Sequence, residues 1–291
     1  MSLFIILVTL FIERFSNTVE NLRKFNWLDR YTTLIRSRCE RFGLGSTATL
    51  VITVAIPLVV LVILIQLIGG ILGGLVGILI ALAVLLLSIG PRNLGKEVDA
   101  FLEAGAMKDE AREMKHARTL LGDQVPDDAA ERARAVLQKM LTGSNGSLFA
   151  VLFWFVVLGP VGALLYRLAN LMRAPQGTEP DGFQQTATQL QGLLDWIPAR
   201  LMVLFYALTG SFDRAFPVLR TGFLGSWGNM VAENEALLRD AGCEAIQLDE
   251  EELQEPLAAR SAVERASSLV FRSVIAFVAI LALLTIVGVT G

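Results

Sequence analysis

From Thr47 to Ile89 the chain runs TATLVITVAIPLVVLVILIQLIGGILGGLVGILIALAVLLLSI, 43 residues without a charge. As one helix it would be about 64 Å long, roughly twice the ~30 Å hydrocarbon core of a bilayer. The run therefore has to fold as two spans, a transmembrane hairpin over residues 47–89. Gly69, Gly70, Gly73 and Gly74 are the expected break between them. Gly69, Gly73 and Gly77 also recur at a four-residue spacing that lets two backbones approach. Tight packing in a hairpin is one reading of these glycines, and a hinge or gate is the other. With 54% hydrophobic and 18% charged residues, against about 25% charged in soluble domains, the predicted class is all-α: a polytopic α-helical membrane protein with a small cytoplasmic helical region.

The flanking segments divide by composition. Residues 1–46 read as an N-terminal apolar segment followed by an amphipathic interfacial helix. The apolar stretch LFIILVTLFI, residues 3–12, is too short to span. It lacks the basic start of a signal peptide and is expected to be retained, packing on the spans or dipping into the membrane. Residues 90–145 form a helical region whose lysines and arginines place it in the cytoplasm by the positive-inside rule, with a helix starting at Pro126-Asp127-Asp128 and an apolar face of Val136, Leu137, Met140 and Leu141. Residues 146–212 are a transmembrane and partial-span region with a Gly-Pro break. Hydropathy leaves open whether 147–168 and 197–212 cross fully. Residues 213–268 are a polar connecting region whose acidic run, LDEEELQE, reads as a solvated face. Residues 269–291 are a C-terminal transmembrane helix with Arg272 near its start, where it can snorkel.

Much chemistry is excluded. One histidine, His116, and two cysteines far apart, Cys39 and Cys243, rule out a histidine-based metal box, a zinc site or a disulfide scaffold. There is no P-loop and no GxGxxG after a strand. No catalytic residue and no metal ligand are assigned, and the cofactor is left open. With a net charge of −3 and no basic block, nucleic acid is not an expected partner; membrane lipids are.

Two stretches stand out, GPVGALLYRLAN at 159–170 and DWIPARLMVLFYALTG at 195–210. A plain anchor needs neither the Gly159-Pro160 break nor the polar residues beyond it. Proline removes a backbone hydrogen bond and kinks a helix, and a freed carbonyl at membrane depth is tolerated only against protein or a polar cavity. The candidate ligand-binding set is Tyr166, Arg167, Asn170, Asp195, Arg200 and Tyr206, with Gly159, Pro160, Gly162 and Pro198 as the structural motif. The plain reading has Arg167 and Arg200 as snorkelling anchors and Asp195 as a structural partner of Arg200. The functional reading has the arginines binding an anionic headgroup or phosphate, which guanidinium recognises in bidentate fashion.

These stretches, with LFIILVTLFIERF at the N-terminus, resemble the AmpE family of bacterial inner-membrane proteins over essentially the full length. That family is in turn similar to the CobD/CbiB synthases, which attach an aminopropanol group to cobyric acid using ATP and magnesium. The synthase pattern Gly-Pro-x-Gly-Ala-x-x-Tyr-Arg/Lys-x-x-Asn matches Gly159, Pro160, Gly162, Ala163, Tyr166, Arg167 and Asn170, and its Pro-Ala-Arg-Leu matches Pro198, Ala199, Arg200 and Leu201. The acids of that pattern are missing. No carboxylate follows Asn170 before Glu179, none lies between Leu141 and Phe149, and the N-terminal Gly-Asp-Pro element is replaced by IERF. Magnesium chemistry needs such carboxylates. The resemblance thus implies a regulatory protein on a synthase scaffold, modulating β-lactamase induction linked to cell-wall recycling. Its partners would be an anionic small molecule or muropeptide and a protein docking on the cytoplasmic helices. A membrane amide-forming synthase, or a transporter or lipid-binding module, is the alternative.

Overall fold

The structure, a computed structural model, describes residues 2–15, 26–68, 74–90, 94–174, 179–222 and 229–287. All regular structure among them is helical. The chain divides into two compact units, residues 1–91 with 150–194, and residues 92–149 with 195–291.

The first unit holds α1 (Ser2–Phe15), α2 (Asn26–Arg41), α3 (Ser46–Ile68), α4 (Leu75–Ser88), α8 (Ala150–Leu171) and residues 182–194 of α9 (Gly182–Thr209). The uncharged run becomes two helices, α3 and α4, as its length requires. Gly69, Gly70 and Gly73 lie outside the described residues. Gly74, with φ 90°, stands just before α4 in the left-handed region that favours glycine. The short apolar α1 packs on α4 and α8, and α8 packs on α3 and α4. One apolar cluster joins Leu28 of α2, Leu50 and Val54 of α3, Leu168 and Met172 at the end of α8, and Phe183 and Ala187 of α9. Beside it Arg36 pairs with Asp181 at 2.6 Å and lies over the ring of Phe183.

Besides Pro160 at the break in α8, Pro57 sits inside α3 and Pro198 inside α9. A helical proline has no N–H to offer the carbonyl four residues back, here those of Thr53 and Leu194, and hydrocarbon supplies no substitute. An aromatic side chain takes each one. The Tyr31 hydroxyl donates to Thr53 O at 2.9 Å, and Trp154 Nε1 donates to Leu194 O at 2.9 Å. The same bonds fasten α2 to α3 and α8 to α9. Residues 197–212, expected as a separate segment, thus belong mainly to one 28-residue helix that continues through its proline.

In α8 the backbone breaks at Gly159, with φ 65° and ψ −154°. A methyl group placed on Gly162 would meet the carbonyl oxygen of Trp154, and would lie 2.7 Å from Leu158 Cβ and 3.0 Å from the Trp154 carbonyl carbon. Residues eight apart on an unbroken helix are separated by about 12 Å along the axis. The first turn after the break is therefore folded onto the last turn before it.

The second unit holds α5 (Leu94–Ala106), α6 (Glu110–Leu121), α7 (Ala129–Ser144) with a π-helical turn at Asn145–Phe149, residues 195–209 of α9, α10 (Phe212–Gly222), α11 (Met230–Ala245), a 3-10 turn at Glu250–Gln254 and α12 (Pro256–Ile286). Asp109 caps α6 by accepting from Arg112 N, and Asp128 caps α7 by accepting from Ala130 N and Glu131 N. The predicted apolar face of α7, Val136, Leu137, Met140 and Leu141, is buried, and α12 lies along this helix. The last helix starts at Pro256, well before the apolar segment expected at 269. Its polar N-terminal half packs on α5 and α7. There Glu113, 2% exposed, accepts from Arg132 Nε at 3.3 Å and Arg260 Nη2 at 2.6 Å. Arg132, 1% exposed, also donates to the carbonyls of Pro126 and Asp127. His116 meets Glu97 at 2.9 Å, a structural use of the lone histidine.

By length and composition four helical stretches among the described residues can cross a membrane: Ser46–Ile68, Ala129–Leu171, Gly182–Thr209 and Pro256–Ile286. This is a multi-pass membrane protein. Two outcomes test the packing. Trp154→Phe, which leaves Leu194 O unsatisfied, should cost about 1–3 kcal/mol, read as a lower thermal midpoint in detergent. Pro198→Ala in the same chain should recover much of that loss by restoring a backbone donor, and a purely additive cycle would contradict the pairing. Gly162→Ala should cost about 1–3 kcal/mol through overpacking against backbone, where a neutral result would show that α8 is not folded back.

Candidate functional site

The predicted set divides between the two units. Tyr166, Arg167 and Asn170 belong to the first, Asp195, Arg200 and Tyr206 to the second. In the first, the Gly159 break and the glycine at 162 set the direction of the helical arm that carries Tyr166 and Arg167. Tyr166 is fully buried, Arg167 is 4% exposed and Asn170 is half-buried. The fully buried Gln191 adds a polar side chain to the part of α9 that belongs to the same unit. Sequence reading passed over it for want of a motif.

In the second unit Arg200 is 6% exposed. Its Nη1 donates to Trp196 O at 3.0 Å and to Asn234 Oδ1 at 2.9 Å, and its Nη2 donates to Gly222 O at 3.2 Å. The guanidinium also lies over the Trp196 ring at 4.3 Å, a cation–π contact. Arg200 thereby gathers the end of α10 and the start of α11 onto α9. The sequence suggests Asp195 as its partner. The bonds found take Arg200 to Asn234, and Asp195 to Asn145, whose Nδ2 donates to Asp195 Oδ1 at 3.0 Å. The Tyr206 hydroxyl donates to Leu141 O at 2.9 Å and meets Ser144 Oγ at 3.2 Å. One step further along, Thr209 and Ser273 join hydroxyls at 2.9 Å. Asn145, Ser144 and Asn234 are the site residues that sequence reading missed. The Asn-Gly of LTGSNGSLF looks like a turn, whereas Asn145 opens a π-helical turn, a feature common at functional positions. Its buried Oδ1 has no hydrogen-bond partner among the described residues.

Neither arginine is a snorkelling anchor, since both guanidinium groups are withdrawn into protein. A buried cation is tolerated only when acceptors or an anion compensate it. Asp195 is the one acid of the predicted set. No group of three histidine, cysteine, aspartate or glutamate side chains placed to hold a metal occurs among the described residues.

A family model described as "Regulatory signalling modulator protein AmpE" matches residues 1–290. The chain is also similar to cobalamin biosynthesis protein CobD of Chromobacterium violaceum, 34% identical over 148 residues, covering 48% of this chain and 46% of that protein. It is 32% identical over 144 residues to CobD of Stutzerimonas stutzeri, 48% of each, and 33% identical over 82 residues to a probable CobD of Pyrococcus abyssi, 27% of this chain and 28% of that one. The match spans less than half the length of each of these relatives. No solved structure matches.

Arg200→Met, which strips Asn234 Oδ1 and two carbonyls of their donor, should destabilise the protein by about 1–3 kcal/mol or more. Arg200→Lys should recover little of this, because one ammonium cannot reproduce the fork. Equal thermal midpoints for Arg200→Lys and wild type would contradict the bidentate role.

Proposed function

This chain belongs to the AmpE family, and on that premise we propose that it is a signalling protein of the bacterial inner membrane that modulates β-lactamase induction linked to cell-wall recycling. The observation that supports this reading is that two arginines are withdrawn into protein, Arg167 in the first unit and Arg200 in the second. A buried guanidinium favours an anion, which it can bind in bidentate fashion. In this reading Arg200 fixes the helices in place. Arg167, with Tyr166 and Asn170, meets an anionic small molecule such as a muropeptide. A protein partner reads the outcome from the helices of residues 90–145.

In a strain lacking the chromosomal copy, wild-type complementation should alter β-lactamase induction. Arg167→Ala should fail to do so at equal membrane abundance, and Arg200→Ala should fail chiefly through reduced abundance. Unchanged induction with wild type would sink the regulatory role. The synthase alternative draws on the printed names of the CobD relatives. ATP-dependent amide formation by the purified protein would favour it over signalling.

A further inference from the structure

We propose that α8 is a re-entrant hairpin. Residues 150–158 enter the membrane, the turn at Val157–Pro160 lies among the lipid acyl chains, and residues 160–171 return to the face the chain came from. Lengths come first. The second arm has twelve residues, about 18 Å at 1.5 Å per residue, too short to reach across a ~30 Å core. The break at Gly159 and the contact of Gly162 with Trp154 and Leu158 keep the arms from adding into one straight span.

The second line of argument is where α8 ends. Leu168 and Met172 share a core with Leu28 of α2 and with Leu50 and Val54 in the first turns of α3. Just beyond, Asp181 pairs with Arg36, and a methyl group on Gly182 would touch Ser46 Oγ at 2.9 Å. The chain thus leaves α8 at the end where α3 begins. The helices α3 and α4 go out and back, so residues 45 and 90 share a face, with Arg36, Arg38 and Arg41 before them and Lys96 after. Between 94 and 149 each helix carries charges along its length, and none of the three crosses. Residue 150 therefore starts from that same face, and a single crossing by α8 would deliver residue 172 to the wrong one.

Exposure fits the same geometry. At the turn Val157 and Leu158 are 53% and 49% exposed, whereas Phe155, Tyr166 and Arg167 are buried. Lipid is the occupant that suits an apolar tip continuous with membrane helices. It follows that Arg167, a little more than one turn from the end of α8, is approached from the cytoplasmic face.

The test is single-cysteine labelling of the full chain in spheroplasts and in inverted vesicles with a membrane-impermeant maleimide. The native thiols give little background, since Cys39 is buried and burial, with Asp240 adding to it, holds Cys243 up at about 11. Glu179→Cys and Asp123→Cys, both at exposed positions, should label from the same side with loss of labelling from the other. Leu158→Cys should resist the reagent from both. Labelling of the Glu179 and Asp123 variants from opposite sides would overturn the hairpin in favour of a crossing helix. Ready labelling of the Leu158 variant by the impermeant reagent would overturn the immersion of its tip.

Discussion

A carbonyl released inside hydrocarbon has to find a donor in the protein, and in this chain the donor is an aromatic side chain. Proline 57 releases Thr53 O and the Tyr31 hydroxyl takes it; Pro198 releases Leu194 O and Trp154 Nε1 takes it. The second bond matters more for the site. It ties the first arm of α8 to α9 one residue before Asp195 and six before Arg200. The Pro-Ala-Arg-Leu stretch can therefore be understood physically. The proline is tolerated because it trades a bond within the helix for a bond between helices, and the arginine that follows is placed from a helix anchored at that point.

The break at Gly159 has a different character. A positive φ followed by proline cannot continue a helix, and the glycine at 162 lets the next turn close onto the backbone of the one before. The outcome is a helical arm carrying a buried tyrosine and a buried arginine. Elsewhere the protein buries charge by pairing it, as in the Glu113–Arg132–Arg260 set. Arg200 is held differently: it donates to an amide oxygen and two carbonyls and lies over a ring, with the Glu233 carboxylate close enough to act on it electrostatically.

What was legible in the sequence follows from the range of the interaction. The pairing of α3 and α4 was fixed by length against bilayer thickness, and the start of α7 by the aspartates at Asp127-Asp128, the second of which caps it. The apolar face of α7 followed from helical spacing. Interactions across distant sequence left no local sign. Glu113 meets Arg260 147 positions away, Arg200 meets Asn234 34 positions on, and Asn145 meets Asp195 50 positions on. Asp195 lies near Arg200 in sequence, and residues five apart on a helix point about 140° apart at 3.6 residues per turn, so nearness in sequence says little about either residue's bonds. The continuity of α9 through Pro198 was hidden because the donor that makes it tolerable, Trp154, lies on another helix.

The account turns on whether the buried arginine of α8 meets an anion. The most direct measurement is calorimetric titration of an anionic muropeptide into the full chain in lipid nanodiscs, for wild type and for Arg167→Lys. Saturable binding that weakens in the lysine variant, with unchanged thermal stability of the unliganded protein, is the predicted result. No binding to wild type, or equal binding to both, would contradict the claim that this site is the protein's receptor for its signal.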